Sequence, residues 1–375
     1  MDFSYSDEQQ SLLDLAKQIL GDRSTPERLK TIERAGGPRF DRELWAELAK
    51  AGLLGVGVPE ADGGQGFGFL EIAGVAEEVG RCAAAVPFVE TMVLGVLPLV
   101  AYGSAAQRQA MLAPVTTGEQ VLTAALSEPE GDPLRPATRA DANGQGWRLH
   151  GTKLCVPYAE VADRILVPAS TPDGLIALFW VDPSVDGVAA TALQTTAGLP
   201  ETLLELDGVA VAADATLGPV GDGRTILAAL REQYDAALAA VALGACSEAL
   251  RLTAQYTSER KQFGQPIASF QAAGHRAADA YIDNEAIRLT VRQAAWRIAV
   301  GLPAAEQVAV AKYWAAEAGH RVVHAAQHLH GGVGVDRDYA LHRYFLYVRQ
   351  IELTGGSGPD QLRRLGKMIA DAAPV

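Results

Sequence analysis

Residues 256–271 read YTSERKQFGQPIASFQ, and they join two long segments of helical pattern through a short turn. The first segment ends in Arg260 and Lys261, the turn carries Phe263, and the second segment begins near Gln271. An arginine suits a pyrophosphate because its planar guanidinium donates two parallel hydrogen bonds, and a phenylalanine ring offers a flat surface to a purine. An ordinary connection between two helices, with a cation at the end of the first, explains the same residues. Both interpretations stay open on this stretch alone.

Helical patterns extend on both sides of this turn. Apolar residues recur at three- and four-residue intervals over 225–256, 269–300 and 303–330, which predicts three long helices. At 330–335 the chain reads HGGVGV, where closely spaced glycines would end a helix and would also let a backbone approach a phosphate or a ring. The C-terminal part of the chain is therefore predicted to be a helical bundle.

The composition changes twice along the chain, and these changes divide it into three predicted domains. Residues 1–118 carry helical spacing, with Asp41 placed as a helix N-cap. Residues 119–221 change to short alternating runs separated by glycine, proline and aspartate, which are typical of β-strands. Residues 222–375 return to long helical patterns. We therefore expect an α protein with a middle β domain.

The overall charge and the cysteines limit the possible partners. The 375 residues carry a formal net charge of −13, and the sequence pI is near 5.0. This acidic balance argues against nucleic acid or an acidic membrane as a partner. The N-terminus carries acidic residues, and the apolar runs are too short to span a bilayer, so neither an export signal nor an anchor is predicted. The three cysteines are far apart, as in a reduced cytoplasmic protein.

Three histidines, His320, His324 and His328, lie four residues apart and would share one face of a helix. That spacing is compatible with metal ligands, but no carboxylate or cysteine stands at a matching position in the sequence. Histidines that pack in the bundle or lie at an interface are the simpler interpretation. We therefore predict no metal.

Together these stretches resemble one family, the flavin-dependent acyl-CoA dehydrogenases. GLLGVGVPEADGGQGFG at 52–68, ALSEPEGDP at 125–133 and LHGTKLCVPYAEVAD at 149–163 are similar to its N-terminal turn, flavin-side loop and central strand. The stretch at 256–271 and HGGVGVDRDYALHR at 330–343 resemble its C-terminal signatures. The resemblance implies a helical N-domain, a β-barrel-like middle domain and a C-terminal four-helix bundle. It also implies FAD as cofactor and α,β-dehydrogenation of an acyl-CoA thioester as the reaction.

This chain has an unusual residue at the position where the family carries its catalytic base. The family base is usually a glutamate at a fixed distance after the paired glycines, and the resemblance places that position at Gly355. Glu352, the nearest carboxylate, would be one helical turn away. Some members carry the base on the first bundle helix, at a position that matches Tyr234, beside the fallback candidates Asp235 and Glu232. Glycine has no titratable group, and tyrosine, with an ordinary pKa of about 10, is a poor base near neutral pH. We therefore expect this chain to lack the base, and residue 355 to mark a leftover active-site turn.

The residues that hold a protomer's own flavin ring in the family are changed in this chain. The loop retains Ser-Glu-Pro at 127–129 but continues with Glu130 and Asp132, where the family has small residues. The family strand Trp-Ile-Thr is replaced by Cys-Val-Pro at 155–157. Cysteine removes a stacking surface, proline removes a donor, and acidic side chains repel a phosphate. The resemblance therefore implies a defective ring pocket.

The residues that a family protomer contributes to its neighbour's flavin are retained by contrast. The resemblance implies that the adenosine diphosphate half of FAD is contacted by Arg260, Gln262, Phe263, Gln271, His328, Gly331 and Gly332. His328 stands where the family usually has glutamine, and a histidine can still donate one hydrogen bond.

The chain resembles the subunit thought to be non-catalytic in bacterial members that pair unlike subunits and act on sterol-derived CoA thioesters. This resemblance is carried by AAEAGHRVVHAAQHLHGGVGV at 315–335 and HRYFLYVRQIELTGGSGPDQLRRLG at 342–366, and it agrees with the asymmetry of the flavin-site residues. It implies a heterotetramer in which this chain and a homologous catalytic subunit share FAD, with an acyl-CoA substrate and an electron-transfer flavoprotein as the expected acceptor. Two alternatives stay open. One is a self-sufficient homotetramer whose base is Asp235 or Glu232. The other is a flavin-free scaffold or acyl-CoA-binding protein, against which the retained Arg260 and Phe263 count.

Overall fold

The structure, a computed structural model, describes residues 3–132, 134–144 and 146–372. The chain forms two compact units, and each unit combines several segments. The first unit comprises Met1–Thr31, Phe69–Ala84 and Glu232–Val375, and the second comprises Ile32–Gly68 and Ala85–Arg231. The three domain ranges expected from the sequence remain a prediction.

Helices make up most of the chain outside its middle part, as the apolar spacing predicts. The α-helices of the described residues are α1 Asp7–Arg23, α2 Pro26–Arg34, α3 Arg42–Lys50, α4 Phe69–Cys82, α5 Leu97–Tyr102, α6 Ala105–Thr116, α7 Gly223–Glu259, α8 Gln271–Ala299, α9 Ala305–His330, α10 Leu341–Leu353 and α11 Gly358–Ala372. A π-helical segment, Glu90–Val96, precedes α5. Asp41 caps α3, since its Oδ1 accepts a hydrogen bond from the backbone N–H of Leu44 at 3.2 Å. The three long helices predicted in the C-terminal part are confirmed as α7, α8 and α9.

The middle of the chain forms a sheet, also as predicted. Its strands are β1 Leu122–Ala124, β2 Arg139–Asn143, β3 Gly146–Pro157, β4 Arg164–Ser170, β5 Ile176–Val181, β6 Val188–Leu193, β7 Glu201–Ala212 and β8 Thr216–Leu217. The strand order is β6-β7-β3-β2-β4-β5-β8, and β1 pairs with β4 in parallel. Side chains of β7 alternate between buried and more exposed along most of the strand, as in a sheet with one face on a core. Two further short strands, β9 Lys261–Gln262 and β10 Gln265–Pro266, form a separate antiparallel hairpin.

Two glycines let helices α4 and α7 approach closely in the first unit. A Cβ on Gly80 would overlap the backbone carbonyl of Val241, and a Cβ on Gly244 would overlap that of Glu77. Only glycine permits so close a backbone contact. Helix α7 is long and apolar enough to cross a membrane by length and composition, so the prediction that every apolar run is too short was wrong for this helix. Its most apolar 18-residue window is 72% buried, which is typical of the core helix of a bundle. The contact therefore fixes which face of α7 turns toward its neighbours.

The break near the C-terminus lies where the sequence predicts it. Helix α10 ends at Leu353 and α11 begins at Gly358, so the segment between them is a turn. Gly355 and Gly356 have φ values of +76° and +108°, a backbone conformation that favours glycine. Gln361 on α11 donates hydrogen bonds from Nε2 to the carbonyls of both glycines, at 3.3 and 3.4 Å. The turn is therefore a defined structure rather than a loose linker.

Candidate functional site

The hairpin β9–β10 presents an aromatic ring outside the protein. Phe263 and Gly264 at its tip have φ values of +52° and +84°, as both central residues of a type I′ turn require. A non-glycine residue with positive φ is uncommon, and such strain clusters at functional sites. The Phe263 side chain is 94% exposed and touches Phe270 only edge-on, with ring centroids 6.2 Å apart. The fold thus holds a large apolar ring where it can contact another molecule.

Stacked rings join the end of α7 to the end of α9. Tyr256 stacks on His330 with ring centroids 4.4 Å apart, and Tyr339 lies against both rings. His330 Nδ1 bonds the carbonyl of Ala326 at 2.8 Å, and burial lowers the pKa of His330. This half-buried cluster holds the end of α7 against the end of α9, so the two stretches that resemble the family's C-terminal signatures lie together.

The residues predicted to contact FAD are on the surface of this region. They are exposed in the isolated chain, namely Arg260, Gln262, Phe263, Gln271, His328, Gly331 and Gly332. Gly331 has a φ of +60°, and a Cβ at either paired glycine would meet nothing within 4 Å. Seven exposed residues along one edge of the bundle are typical of a surface that contacts a partner or ligand.

The N-terminus of α8 is a feature that the sequence interpretation missed. Phe270 stands at the N-cap position and provides no side-chain hydrogen bond, so the first backbone N–H groups of this 29-residue helix have no such cap. An uncapped helix N-terminus favours anions, because free N–H groups and the helix dipole point toward them. The absence of Ser, Thr, Asp or Asn directly before Gln271 is the signal that could have identified this uncapped helix end. A single 3-10 turn, Ile267–Ser269, separates this N-terminus from the hairpin that carries Phe263, and Arg260 lies just before the hairpin.

The turn at Gly355 brings together the candidates for the base. Asp235 lies directly against Gly355, and only 1% of its surface is exposed. Arg364 of α11 donates from Nη1 to Asp235 Oδ2 at 3.1 Å and has its Nη2 at 3.7 Å from Glu232 Oε1. Burial raises the pKa of Glu232, and Arg364 opposes that rise. Tyr234, the position matched by counting, is buried, whereas the next residue, Asp235, is the one that meets the turn.

Glu352, the nearest carboxylate before the turn, is bound in another cluster. Its Oε2 lies 3.2 Å from His320 Nδ1, and Arg349 contacts both groups. Only 16% of the Glu352 side chain is exposed. Glu352 Oε2 accepts a hydrogen bond from the Arg349 guanidinium, so this carboxylate is engaged in a cluster of its own and not at residue 355.

Of the three histidines predicted to share a face of one helix, His320 and His324 pack together on α9. His320 and His324 stack with ring centroids 4.2 Å apart, and Phe345 meets His324 edge-on at 4.9 Å. Burial, followed by the neighbouring His320 and Arg349, lowers the pKa of His324. Within the described ranges no group of three or more His, Cys, Asp or Glu side chains could hold a metal ion. His320 and His324 thus pack against each other on α9, whereas His328 is exposed.

The loop that follows β1 retains its internal support. Glu128 accepts hydrogen bonds from Lys153 Nζ at 2.7 Å and from the N–H and hydroxyl of Thr138, and Lys153 also donates to the carbonyl of Pro168. Only 1% of the Lys153 side chain is exposed, and its burial lowers its pKa to about 8. Burial alone would raise the pKa of Glu128, but Lys153 and the hydrogen bonds lower it below its ordinary value. This buried ion pair holds the loop on β3.

Replacing Lys153 with methionine should strongly destabilise the second unit. The change leaves the Glu128 carboxylate without its countercharge, and breaking one side of a buried pair costs about 3 kcal/mol or more. The matched control is R164M, which removes the pair between Arg164 of β4 and Asp182 after β5, where 37% and 36% of the side chains are exposed. An exposed pair contributes at most about 1 kcal/mol. Thermal melting of both variants checks the difference, and equal melting temperatures would contradict it.

The strand β3 departs from regular geometry where the family sequence is replaced. Cys155 has a φ of +51° within an irregular stretch of the β3–β7 pairing, and its side chain is exposed. Partial burial and the hydrogen-bonded Glu201 raise the pKa of the Cys155 thiol to about 11. Glu130 and Asp132 on the nearby loop are exposed acids. The position at which the resemblance implies a tryptophan thus carries a cysteine beside exposed acidic side chains.

Glu90, a further acidic residue of the second unit, was not identified from the sequence. It opens the π-helical segment Glu90–Val96, and burial raises its pKa to about 7, with Glu201 adding to the rise. π-Helical turns are rare and are found frequently at functional sites. A lone acid in the apolar run VPFVETMVLGV, residues 86–96, is the signal that could have identified it. Glu90 and Glu201 make the region around Cys155 more acidic than the loop alone suggests.

The fold and this surface define a class of protein. Residues 6–119 match the model of the acyl-CoA dehydrogenase N-terminal domain, and residues 226–370 match that of the acyl-CoA dehydrogenase C-terminal domain. The helical N-terminal part, the middle sheet and the C-terminal helices are those of this fold. The chain therefore belongs to the acyl-CoA dehydrogenase family.

Within the family the chain is similar to particular proteins. It is 41% identical to the acyl-CoA dehydrogenase FadE27 of Mycobacterium tuberculosis over 379 residues, covering 99% of each chain. The crystal structure of the ChsE4–ChsE5 complex from the same organism matches with a TM-score of 0.94 and 42% identity over the full length of both chains. A variant of the Tcur3481–Tcur3483 steroid acyl-CoA dehydrogenase matches with a TM-score of 0.90 and 43% identity, covering 97% of this chain and 98% of that one.

Proposed function

We propose that this chain is the non-catalytic subunit of a heteromeric, FAD-dependent acyl-CoA dehydrogenase. The observation that carries the proposal is an asymmetry within one chain. The surface around Arg260 and Phe263 is retained and exposed, whereas the residues around Cys155 are acidic and residue 355 is a glycine. The chain would contribute half of an FAD site to a homologous partner subunit, which supplies the other half.

The residues at the exposed surface fit the adenosine diphosphate half of FAD. Arg260 offers a guanidinium for a pyrophosphate, and the N-terminus of α8 offers free N–H groups to the same anion. The Phe263 ring offers a flat apolar surface to adenine, and the glycines 331 and 332 leave room for a close approach. When bound, FAD supplies the acceptor for the hydride that leaves the substrate β carbon.

The partner must supply the base in this account. Dehydrogenation of an acyl-CoA requires a carboxylate that removes the α proton, positioned on the side of the substrate opposite the flavin. Gly355 has no such group, Glu352 is bound to Arg349 and His320, and Asp235 is bound to Arg364. The chain's own role is therefore to bind and orient the cofactor, and the degenerate residues are tolerated because no reaction takes place at them.

We further propose a steroid-type side-chain CoA thioester as the substrate of the complex. The steroid class is supported by the similarity to the Tcur3481–Tcur3483 steroid acyl-CoA dehydrogenase. The pairing of unlike subunits is supported by that protein and by the ChsE4–ChsE5 complex, each of which has two named components. A cytoplasmic location and an electron-transfer flavoprotein as acceptor are part of the same proposal. The competing functions are a homotetramer that uses Asp235 or Glu232 as base and a flavin-free scaffold.

Activity with and without a partner distinguishes these functions. The chain is purified alone and after co-expression with a homologous catalytic acyl-CoA dehydrogenase subunit, and both preparations are assayed for reduction of an artificial acceptor by steroid side-chain and straight-chain acyl-CoA thioesters. We expect activity only from the pair, with preference for the steroid thioester, and unchanged activity in a D235N pair. Activity of the lone chain that D235N abolishes would instead establish the homotetramer.

A further inference from the structure

The turn at Gly355 excludes a side chain for two independent reasons. Its φ of +76° strains any residue other than glycine. In addition, a Cβ built on Gly355 would lie well inside 3.0 Å of Asp235 Oδ1, a separation that real Cβ atoms do not show, and 3.5 Å from both Asp235 Cγ and Leu238 Cδ1. The carboxylate of Asp235 thus occupies the space in which a side chain of residue 355 would begin.

The Asp235 carboxylate is held in that space by a cation from another helix. Arg364 Nη1 donates to Asp235 Oδ2 at 3.1 Å, which ties α11 to α7. The Asp235 and Arg364 side chains are 2% and 28% exposed, so the pair is largely removed from water. Glu232, one turn earlier on α7, lies 3.7 Å from Arg364 Nη2 and helps to orient the guanidinium. A charge-assisted hydrogen bond in a buried setting fixes geometry more firmly than an exposed one.

A second buried cation holds the turn from the side of α9. Lys312 has no exposed surface, and its Nζ donates to the carbonyls of Ile351 at 2.9 Å and Gly356 at 3.1 Å. Carbonyls at a helix C-terminus lack partners within the helix, and a cation there is stabilising. The turn is thus clamped between Lys312 on one helix and the Asp235–Arg364 pair formed by two others.

We propose that the Asp235 carboxylate, anchored by Arg364, is an internal occupant of the base position and holds the Gly355 turn in a form that cannot carry a base. Asp235 is then a positioning residue and not a catalytic one. Asp235 fills a small carboxylate-binding site whose cation is Arg364 of the same chain. The functional consequence is that replacing residue 355 alone cannot restore a base, and only this consequence rests on the proposed function.

A double-mutant cycle tests whether Asp235 and residue 355 compete for the same space. We would measure the thermal melting of the full chain carrying G355A, D235A or both changes, with G356A and D235A/G356A as the matched control. The backbone strain that G355A introduces is the same whether residue 235 is aspartate or alanine. The steric overlap with the Asp235 carboxylate exists only when residue 235 is aspartate. The melting shift caused by G355A should therefore be at least about twofold smaller in the D235A background, and that caused by G356A should be the same in both.

Equal shifts for G355A in the two backgrounds would overturn the proposal. If D235A does not yield folded protein, D235S provides the same comparison, because it also removes the carboxylate. Neither measurement needs flavin or a partner. A failure of this inference is therefore distinguishable from a failure of the proposed function, which would be seen in the activity of the pair.

Rescue by a small carboxylate supplies an independent readout. In D235A the vacated space beside Arg364 should bind formate, so sodium formate should raise the melting temperature of D235A above its value in sodium chloride of equal ionic strength. The same comparison should show no difference for the unmutated chain or for D235A/R364M. A merely structural role for Asp235 would not produce this anion-specific pattern, and formate without effect on D235A would contradict the existence of a carboxylate site.

Discussion

Replacing Arg260 with alanine in the complex with a catalytic partner is expected to weaken FAD binding by about 10- to 100-fold. A hydrogen bond to a charged group contributes about 1.5–3 kcal/mol, and each 1.4 kcal/mol is roughly a factor of ten in affinity. Arg260 is exposed at the end of α7, so its loss should remove a ligand contact without unfolding the bundle. Release of FAD on dilution, followed by the fluorescence of free flavin, measures the effect.

Two further variants show whether the effect is specific to the proposed surface. F263A should weaken FAD binding as well, because stacking of a base on an aromatic ring contributes about 1–3 kcal/mol. R363A is the matched control, since the Arg363 side chain is 75% exposed and pairs with Asp360 one turn earlier on the same helix. R363A should leave FAD affinity unchanged. A complex that retains FAD equally well with R260A, F263A and R363A would contradict an adenosine site on this chain.

Replacing Lys312 with methionine is expected to cost about 3 kcal/mol or more of stability, the largest effect in the first unit. The ammonium of Lys312 is fully buried and donates to the carbonyls of Ile351 and Gly356, with that of Glu352 at 3.5 Å. Each buried polar group left without a partner costs about 1–3 kcal/mol. Thermal melting checks the loss, with K367M on the exposed face of α11 as control, where a surface change costs about 0.5 kcal/mol or less.

The same lysine predicts a dependence of stability on pH. Burial lowers the pKa of Lys312 from 10.5 to about 8, although the nearby Asp235 and Glu352 favour the charged form. Between these two values the unfolded chain binds a proton that the folded chain has lost, so the contribution of this group to folding stability becomes more favourable as the pH rises. The stability difference between the unmutated chain and K312M should therefore increase across the interval between the two pKa values. A constant difference would contradict a lowered pKa.

The fold could be predicted from the sequence because its signals are local. The spacing of apolar residues identifies α7, α8 and α9, the alternating runs identify the sheet, and the glycines after Leu353 identify the break. The exposed hairpin also has a local signal, since Phe263 and Gly264 stand between two short polar runs. Such features depend on neighbours along the chain and not on how distant segments pack.

The features that could not be predicted from the sequence depend on contacts between residues that are far apart in the chain. Counting along α7 places Tyr234 at the alternative base position. The close packing of α7 on α4, where Gly80 meets Val241 and Gly244 meets Glu77, orients the helix so that Asp235 meets the turn. Residues 235 and 364 are separated by most of the C-terminal bundle, so no spacing rule relates them. Lys153 and Glu128 likewise pair across the sheet, and the raised pKa of Glu90 depends on burial that the sequence cannot reveal.

The visible absorbance of bound flavin tests the central claim most directly. The chain is purified alone and in complex with the homologous catalytic dehydrogenase subunit, and the FAD content of each preparation is measured against its protein content. A shared site predicts a colourless lone chain and a yellow complex with one FAD for each pair of unlike subunits. A lone chain that retains stoichiometric FAD would contradict the account, because its acidic ring region would then have to hold the flavin without a partner.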